Sequence, residues 1–469
     1  MPGIRAVFAL SLLAAGVACA EDSSVEQRLK AMEARMEQLA QENQALRVEV
    51  QDLKARTAAP AAQPGGPAGQ PTGTPAPVDP KKPLGLSASW KDDFWLKSDD
   101  GNFTLHPGGI IEAQGRFFTS EERASDTFFL REARLVAEGA VYKDFDYTIV
   151  GDFGKSSAVL KQAWAGWKKY PYLSFRMGEM KQPFSLENMN SSLFVDFCER
   201  SPQSLLANEY EIGAQLYGKA WEERLEYNLG VFNGGAQNTS DLNDGKDLVA
   251  HLVVKPFAPS DDMWLKGIRI GGSVTYGAQK QPFTSLAEPD SGTTFLTALA
   301  NTRVAEERTR WNVEGAWIVG PVRLQGEATF MTQGMERITP PTGSTAHDDV
   351  DFTSWYVEGV WSVTGDDAVI GRRHPKKNFL QDGGIGDIEF AFRFSRFDVD
   401  EEIFDNRYAD RSLSTDGFDN YIGGVNWWFN PNVRFTVDYF HNEFDDPVTI
   451  NREQYDSEDG FITRFQLDF

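Results

Sequence analysis

Arg464 and Asp468 stand four residues apart at the end of a 469-residue chain, in a segment whose residues alternate in character. Ile462, Arg464, Gln466 and Asp468 share one face, and Phe461, Thr463, Phe465, Leu467 and Phe469 share the other. Fixed charges of both signs along one wall can replace the water around a passing solute and then release it, which is transport chemistry rather than bond-making chemistry. The same alternation in earlier segments puts Arg116, Arg134, Arg176, Arg269, Arg310, Arg323, Arg393, Arg434 and Arg464 on polar faces as candidate pore-lining residues. It puts Glu112, Glu132, Glu138, Asp152, Glu226, Glu314, Glu327, Glu358, Glu389, Asp438 and Asp468 on those faces too. Such a wall is mixed, with acids slightly ahead.

Bond-making chemistry has no such support. The five histidines, at positions 106, 251, 347, 374 and 441, fall into no Ser/His/acid spacing. Paired acids such as Asp261-Asp262 and Asp445-Asp446 read as solvated loops, and there is no zinc motif or phosphate-cradling glycine loop. No catalytic, cofactor-binding or metal residue is expected, and the chain does not read as an enzyme. A formal net charge of −23 disfavours nucleic acid as a partner, because phosphate binding needs a basic face.

The elements that must carry these charges are strands. From about Gly85 onward, runs of roughly ten residues alternate apolar and polar with turn signals between them, as a transmembrane barrel requires. Sixteen strands can be placed, near 108–118, 128–142, 145–153, 159–168, 171–179, 210–220, 224–232, 248–257, 266–277, 309–319, 322–333, 351–364, 386–398, 418–429, 432–443 and 459–469. The even count returns the chain to the side it entered. The connections after strands five, seven, nine, eleven, thirteen and fifteen are expected to be long, and the alternate ones short. The segment 365–385, long and basic, is the exception.

One connection, about 180–209, is the longest and least polar, with Met180, Phe184, Leu186, Leu193, Phe194, Val195 and Phe197. Exposed to water it would be a liability, so it is expected to pack, either into the lumen as a constriction or over the axis of an oligomer. Its charges, Lys181, Glu187, Asp196, Glu199 and Arg200, are again mixed.

The residues upstream read differently. Arg5, the apolar run from Ala6 to Val17 and Ala18-Cys19-Ala20 make residues 1–20 a cleavable signal peptide, with a lipoprotein reading at Cys19 weakened by Gly16. Residues 21–56 carry heptads (Leu29, Met36, Asn43 and Val50 at one seam position, Val25, Met32, Leu39, Leu46 and Leu53 at the other) and are expected to form a coiled coil. A single amphipathic helix is the plainer alternative. Residues 57–84, rich in Ala, Pro and Gly, are a linker, and residues 85–469 are the barrel domain. After cleavage Cys198 is the only cysteine, so no disulfide framework exists.

Gly178-Glu179-Met180-Lys181-Gln182-Pro183-Phe184-Ser185-Leu186-Glu187, followed by Glu199-Arg200-Ser201, resembles a stretch of the phosphate-selective porin O and P family. So do Val231-Phe232-Asn233-Gly234, the segment from Gly371-Arg372-Arg373 to Phe379, and Gly423-Gly424-Val425-Asn426-Trp427-Trp428-Phe429. The resemblance implies a homotrimeric sixteen-stranded porin of a Gram-negative-type outer membrane, passing phosphate along lumenal arginines and lysines. The mixed faces read above fit a general porin better than a phosphate-selective one. The expected function is passive diffusion of small hydrophilic solutes, inorganic anions such as phosphate among them. The alternative is a structural outer-membrane anchor whose periplasmic coiled coil contacts the cell wall. Outer-membrane lipid and a homotrimeric assembly are the expected partners.

Overall fold

The computed structural model describes residues 85–469, except 91, 120–124, 155–156, 240–243, 340–343 and 382. The leader, heptads and linker expected in residues 1–84 lie outside the described residues.

A hairpin comes first, β1 (Leu86–Trp90) and β2 (Phe94–Ser98). Nine strands follow: β3 (Phe103–Phe118), β4 (Thr127–Val141), β5 (Phe145–Asp152), β6 (Val159–Tyr170), β7 (Leu173–Lys181), β8 (Tyr210–Ala220), β9 (Leu225–Phe232), β10 (Asp247–Val254) and β11 (Ile268–Pro282). A small ribbon, β12 (Leu286–Ala287) and β13 (Thr294–Leu296), interrupts them. Seven strands complete the wall: β14 (Thr302–Val319), β15 (Val322–Thr339), β16 (Ser344–Ser362), β17 (Asp387–Val399), β18 (Gly417–Asn430), β19 (Val433–Ile450) and β20 (Glu453–Asp468).

Each wall strand pairs antiparallel with the next, and β20 returns to β3, with Phe461 opposite Phe117 and Asp468 opposite Ile110. The chain is an all-β, sixteen-stranded, closed antiparallel barrel. Closure gives every wall strand a neighbour on both sides, so none is left as an edge strand facing hydrocarbon. The alternation works as read: in β20, Phe461 and Phe465 stay exposed outward, whereas Arg464, Gln466 and Asp468 are buried inward.

The seam is sealed at its end by backbone bonds. Phe469 N–H donates to Gly109 O at 3.0 Å, and Gly109 N–H donates to Phe469 O at 2.9 Å. The Phe469 ring packs over Gly109, where a Cβ would come within 2.4 Å of it and require the ring to move. Below this point β2 pairs with the same edge of β3, Leu96 opposite Leu105 and Lys97 opposite Thr104.

The turns at the Phe469 rim are mostly tight, as at 320–321 and 431–432, which marks that rim as periplasmic. Two connections there are long, 255–267 and the expected exception, found at 363–386. Two expected long loops on the other side are instead hairpins whose strands run on, β15 into β16 across 340–343 and β19 into β20 across 451–452. Past the apolar band the inward residues no longer alternate with lipid-facing ones, so the period that marks a strand fades there.

The lumen is not uniformly wet. Toward the outer end of β16–β19, Phe352, Phe397, Phe418, Phe444 and Val448 face inward and bury Phe295 and Leu296 of β13 with Ile403, Phe404 and Tyr408 of the 400–416 connection. Two outer loops thus pack an apolar core inside the mouth. The polar faces read from the sequence give no sign of it.

Candidate transport pathway

Residues 182–209, joining β7 to β8, fold into the barrel and lie along its inner wall. Phe184, Leu193, Val195 and Phe197 are buried, as their apolar character demands. Short helical turns hold the loop in shape: Ser185 caps Leu186–Met189 by accepting from Asn188 N–H, and Ser191 caps Ser192–Phe194.

The wall meets the loop's backbone with side chains of matching sign. Glu327 accepts from Leu186 N–H at 2.8 Å and Glu187 N–H at 2.7 Å. Asp438 accepts from Cys198 N–H at 2.6 Å. Loop carbonyls take the arginines: Arg310 donates to Leu206 O at 3.1 Å, Arg393 to Glu199 O at 3.3 Å, Arg434 to Val195 O at 2.7 Å, and Arg464 to Cys198 O. Three aromatic rings complete the fit, with Arg310 over Phe184, Arg393 over Phe197 and Arg434 over Trp428. A backbone without regular structure is tolerated inside a barrel because each of these groups finds a partner.

The loop's own charges are engaged as well. Lys181 donates to Asn188 O and Asn190 O, both at 2.7 Å. Glu187 accepts from Ser201 N–H at 3.0 Å and lies 3.5 Å from Arg393. Asp196 pairs with Arg323, Glu199 with Arg131 at 3.0 Å, and Arg200 donates to Asn190 O at 2.9 Å. Burial pushes the Cys198 thiol well above its usual range, and the nearby Asp438 charge adds to this.

Seven of the residues expected to line a pore, Arg310, Arg323, Arg393, Arg434, Arg464, Glu112 and Asp438, therefore sit on the inner face beneath the loop, at most 2% exposed. The first five and Asp438 hold the loop; Glu112 lies 3.6 Å from Arg464. Arg116 donates to Ser291 O at 2.7 Å, in the loop that carries β12 and β13. Arg269 pairs with Glu314 at 3.3 Å, and Arg134 with Glu132 at 2.6 Å. Arg131 escaped the sequence reading because a bulge leaves it unpaired between Glu112–Glu132 and Ala113–Leu130. An extra residue turns a position of outward parity into the lumen.

A cavity of about 430 Å³ lies between the loop and the flank from β3 to β8. Its charged lining is Arg134, Arg176, Lys181 and Arg372 against Asp93, Glu138 and Asp468. At the periplasmic rim Arg372 reaches Asp468 at 2.6 Å, Asp93 at 3.2 Å and Pro431 O at 3.1 Å, and lies over the Phe194 ring. One guanidinium thus joins the N-terminal hairpin, the last strand, a wall turn and the lumenal loop.

A family model described as phosphate-selective porin O and P matches residues 113–469. This chain belongs to that family. The porin is 21% identical over 410 residues to Porin O of Pseudomonas aeruginosa, covering 81% of its own length and 91% of that protein. It is similar to the solved structure of OmpT, an outer membrane protein of Vibrio cholerae, at 10% identity and TM-score 0.48, over 78% of this chain and 98% of that one. An anion-selective porin from Comamonas acidovorans is similar at 10% identity and TM-score 0.46, over 78% of this chain and 100% of that one. Family and closed barrel together make this porin an outer-membrane channel for small solutes.

Proposed function

We propose that the channel passes small hydrophilic solutes by diffusion, with anions favoured over cations, and that it works as a homotrimer rather than as an enzyme. The cavity beneath the loop carries this reading: four basic side chains line it against three acidic ones. Most lumenal acids lie elsewhere, turned to loop N–H groups or to arginines and away from a passing ion. Phosphate is the solute in the family's description, yet the charged groups around the cavity include both signs, as in a general porin. The experiment is a reversal potential across a planar bilayer in a potassium chloride gradient. A potential of the sign set by chloride supports the reading; one set by potassium removes the anion preference, and no conductance removes the channel.

A second reading, an anchor between membrane and cell wall through a periplasmic coiled coil, is supported by the heptad spacing of Leu29, Met36, Asn43 and Val50. Deleting residues 21–83 is expected to spare conductance while weakening attachment to isolated cell wall.

A further inference from the structure

Arg176 differs from its neighbours in the cavity. Arg134 is paired with Glu132 and Asp152, Arg372 with Asp93 and Asp468, and Lys181 with Glu209 and two carbonyls. Among the described residues no carboxylate forms an ion pair with Arg176. Asp146, on β5, sits over Gly166 on β6 and reaches Lys168 at 3.4 Å. The Arg176 guanidinium lies over two rings, Trp164 from β6 at 5.4 Å and Tyr217 from β8 at 5.1 Å. Its Nε and Nη2 both donate to Gln215 Oε1, at 3.0 and 2.9 Å. Gln215 is held in that orientation because its own amide donates to Asn228 Oδ1 at 2.6 Å.

A guanidinium has five N–H donors in one plane. Rings contact it from the strand on either side, and the glutamine takes two donors on one edge. What remains is the in-plane fork of Nη1 and Nη2, open to the cavity. That fork matches two coplanar oxygens, and the fixed geometry removes the ordering cost of forming it. A single free cation suits one negative charge. Glu138, which lines the same cavity without an ion-pair partner among the described residues, disfavours a second. Ile110, Val136, Val150 and Phe194 give the cavity apolar wall, where a doubly charged inorganic ion gains nothing and an alkyl or aryl tail loses water.

The geometry points to an organic monocarboxylate subsite at Arg176, with the carboxylate on the guanidinium fork and the tail along the apolar wall. It rests on the anion-passing reading and narrows it. The full-length porin in a planar bilayer would carry chloride current while butyrate or inorganic phosphate is titrated in, each block normalised to the same protein's current. Butyrate is expected to half-block at a concentration at least ten-fold below phosphate. In Arg176→Lys, which keeps the charge and loses the fork and the stacking, that ratio should fall to about one. Butyrate binding to the wild-type protein by calorimetry serves as a second measurement that needs no variant. Equal block by the two anions, or an unchanged ratio in Arg176→Lys, overturns the subsite while the channel stands. Absence of chloride current overturns the anion-passing reading and the subsite together.

Discussion

The backbone N–H of Cys198 donates to Asp438 Oδ2 at 2.6 Å, which ties the middle of the lumenal loop to β19. Replacing Asp438 with Ala leaves that N–H buried without an acceptor, a loss of about 1–3 kcal/mol. Asp438→Asn keeps an oxygen there and should cost less. The expected reading is a larger and noisier single-channel current for Asp438→Ala than for Asp438→Asn, with both variants still barrels by heat-modifiable gel migration.

The Cys198 thiol is a built-in report on the same contact. It is 1% exposed, and burial raises its pKa, so very little thiolate forms at pH 8. A maleimide should leave the folded porin unlabelled for hours and label it fully once denaturant unfolds the barrel. Rapid labelling of the folded protein would mean that the loop spends much of its time off the wall.

Two adjacent glycines in β18 should behave oppositely. A Cβ at Gly424 would come within 2.2 Å of Asp438 Oδ1 and 3.3 Å of the Phe197 ring, whereas at Gly423 it would meet nothing within 4 Å. Gly424→Ala is therefore expected to lower the unfolding temperature and loosen the loop, and Gly423→Ala to be nearly neutral. Thermal melts of the two variants in the same detergent decide it.

Arg372→Ala should alter both stability and selectivity. It leaves the Asp468 carboxylate, 4% exposed, without its cation at 2.6 Å, and breaking a buried pair from one side costs about 3–5 kcal/mol. It also leaves Asp93 and Asp468 without the guanidinium that joins them at the periplasmic rim. The reversal potential in a salt gradient should move toward that of a cation, and the melting temperature should fall.

The barrel was legible in the chain because one face of every strand meets lipid and the other does not, which is a period-two signal in residues such as Phe461 and Arg464. The buried loop was legible too, since Phe184, Leu193 and Phe197 could not be left in water. What lay between elements was not. Arg131 needed a bulge defined by its neighbours in β3, and the grouping of Trp164, Arg176, Gln215 and Tyr217 depends on the register of three strands. Spacing within one strand carries no information about either. The apolar core of Phe295, Phe352 and Phe397 joins residues about fifty apart or more, and each alone reads as an unremarkable aromatic. The sequence also placed Arg434 and Arg464 beside open water, because a face assignment cannot tell that a loop lies over it.

The seam between β3 and β20 sets an order of events. The edge of β3 from Ile110 to Phe118 finds its partner only when Gly460–Asp468 of β20 arrive, the longest wait that any strand of the wall endures. Until then it is a bare template on which a foreign strand could add. The hairpin β1–β2, adjacent in sequence, can form early, but it covers β3 only at Leu105 and Thr104, below the stretch that waits. Ile110–Phe118 stays open until β20 arrives, so mispairing there is the failure to look for when β20 is late.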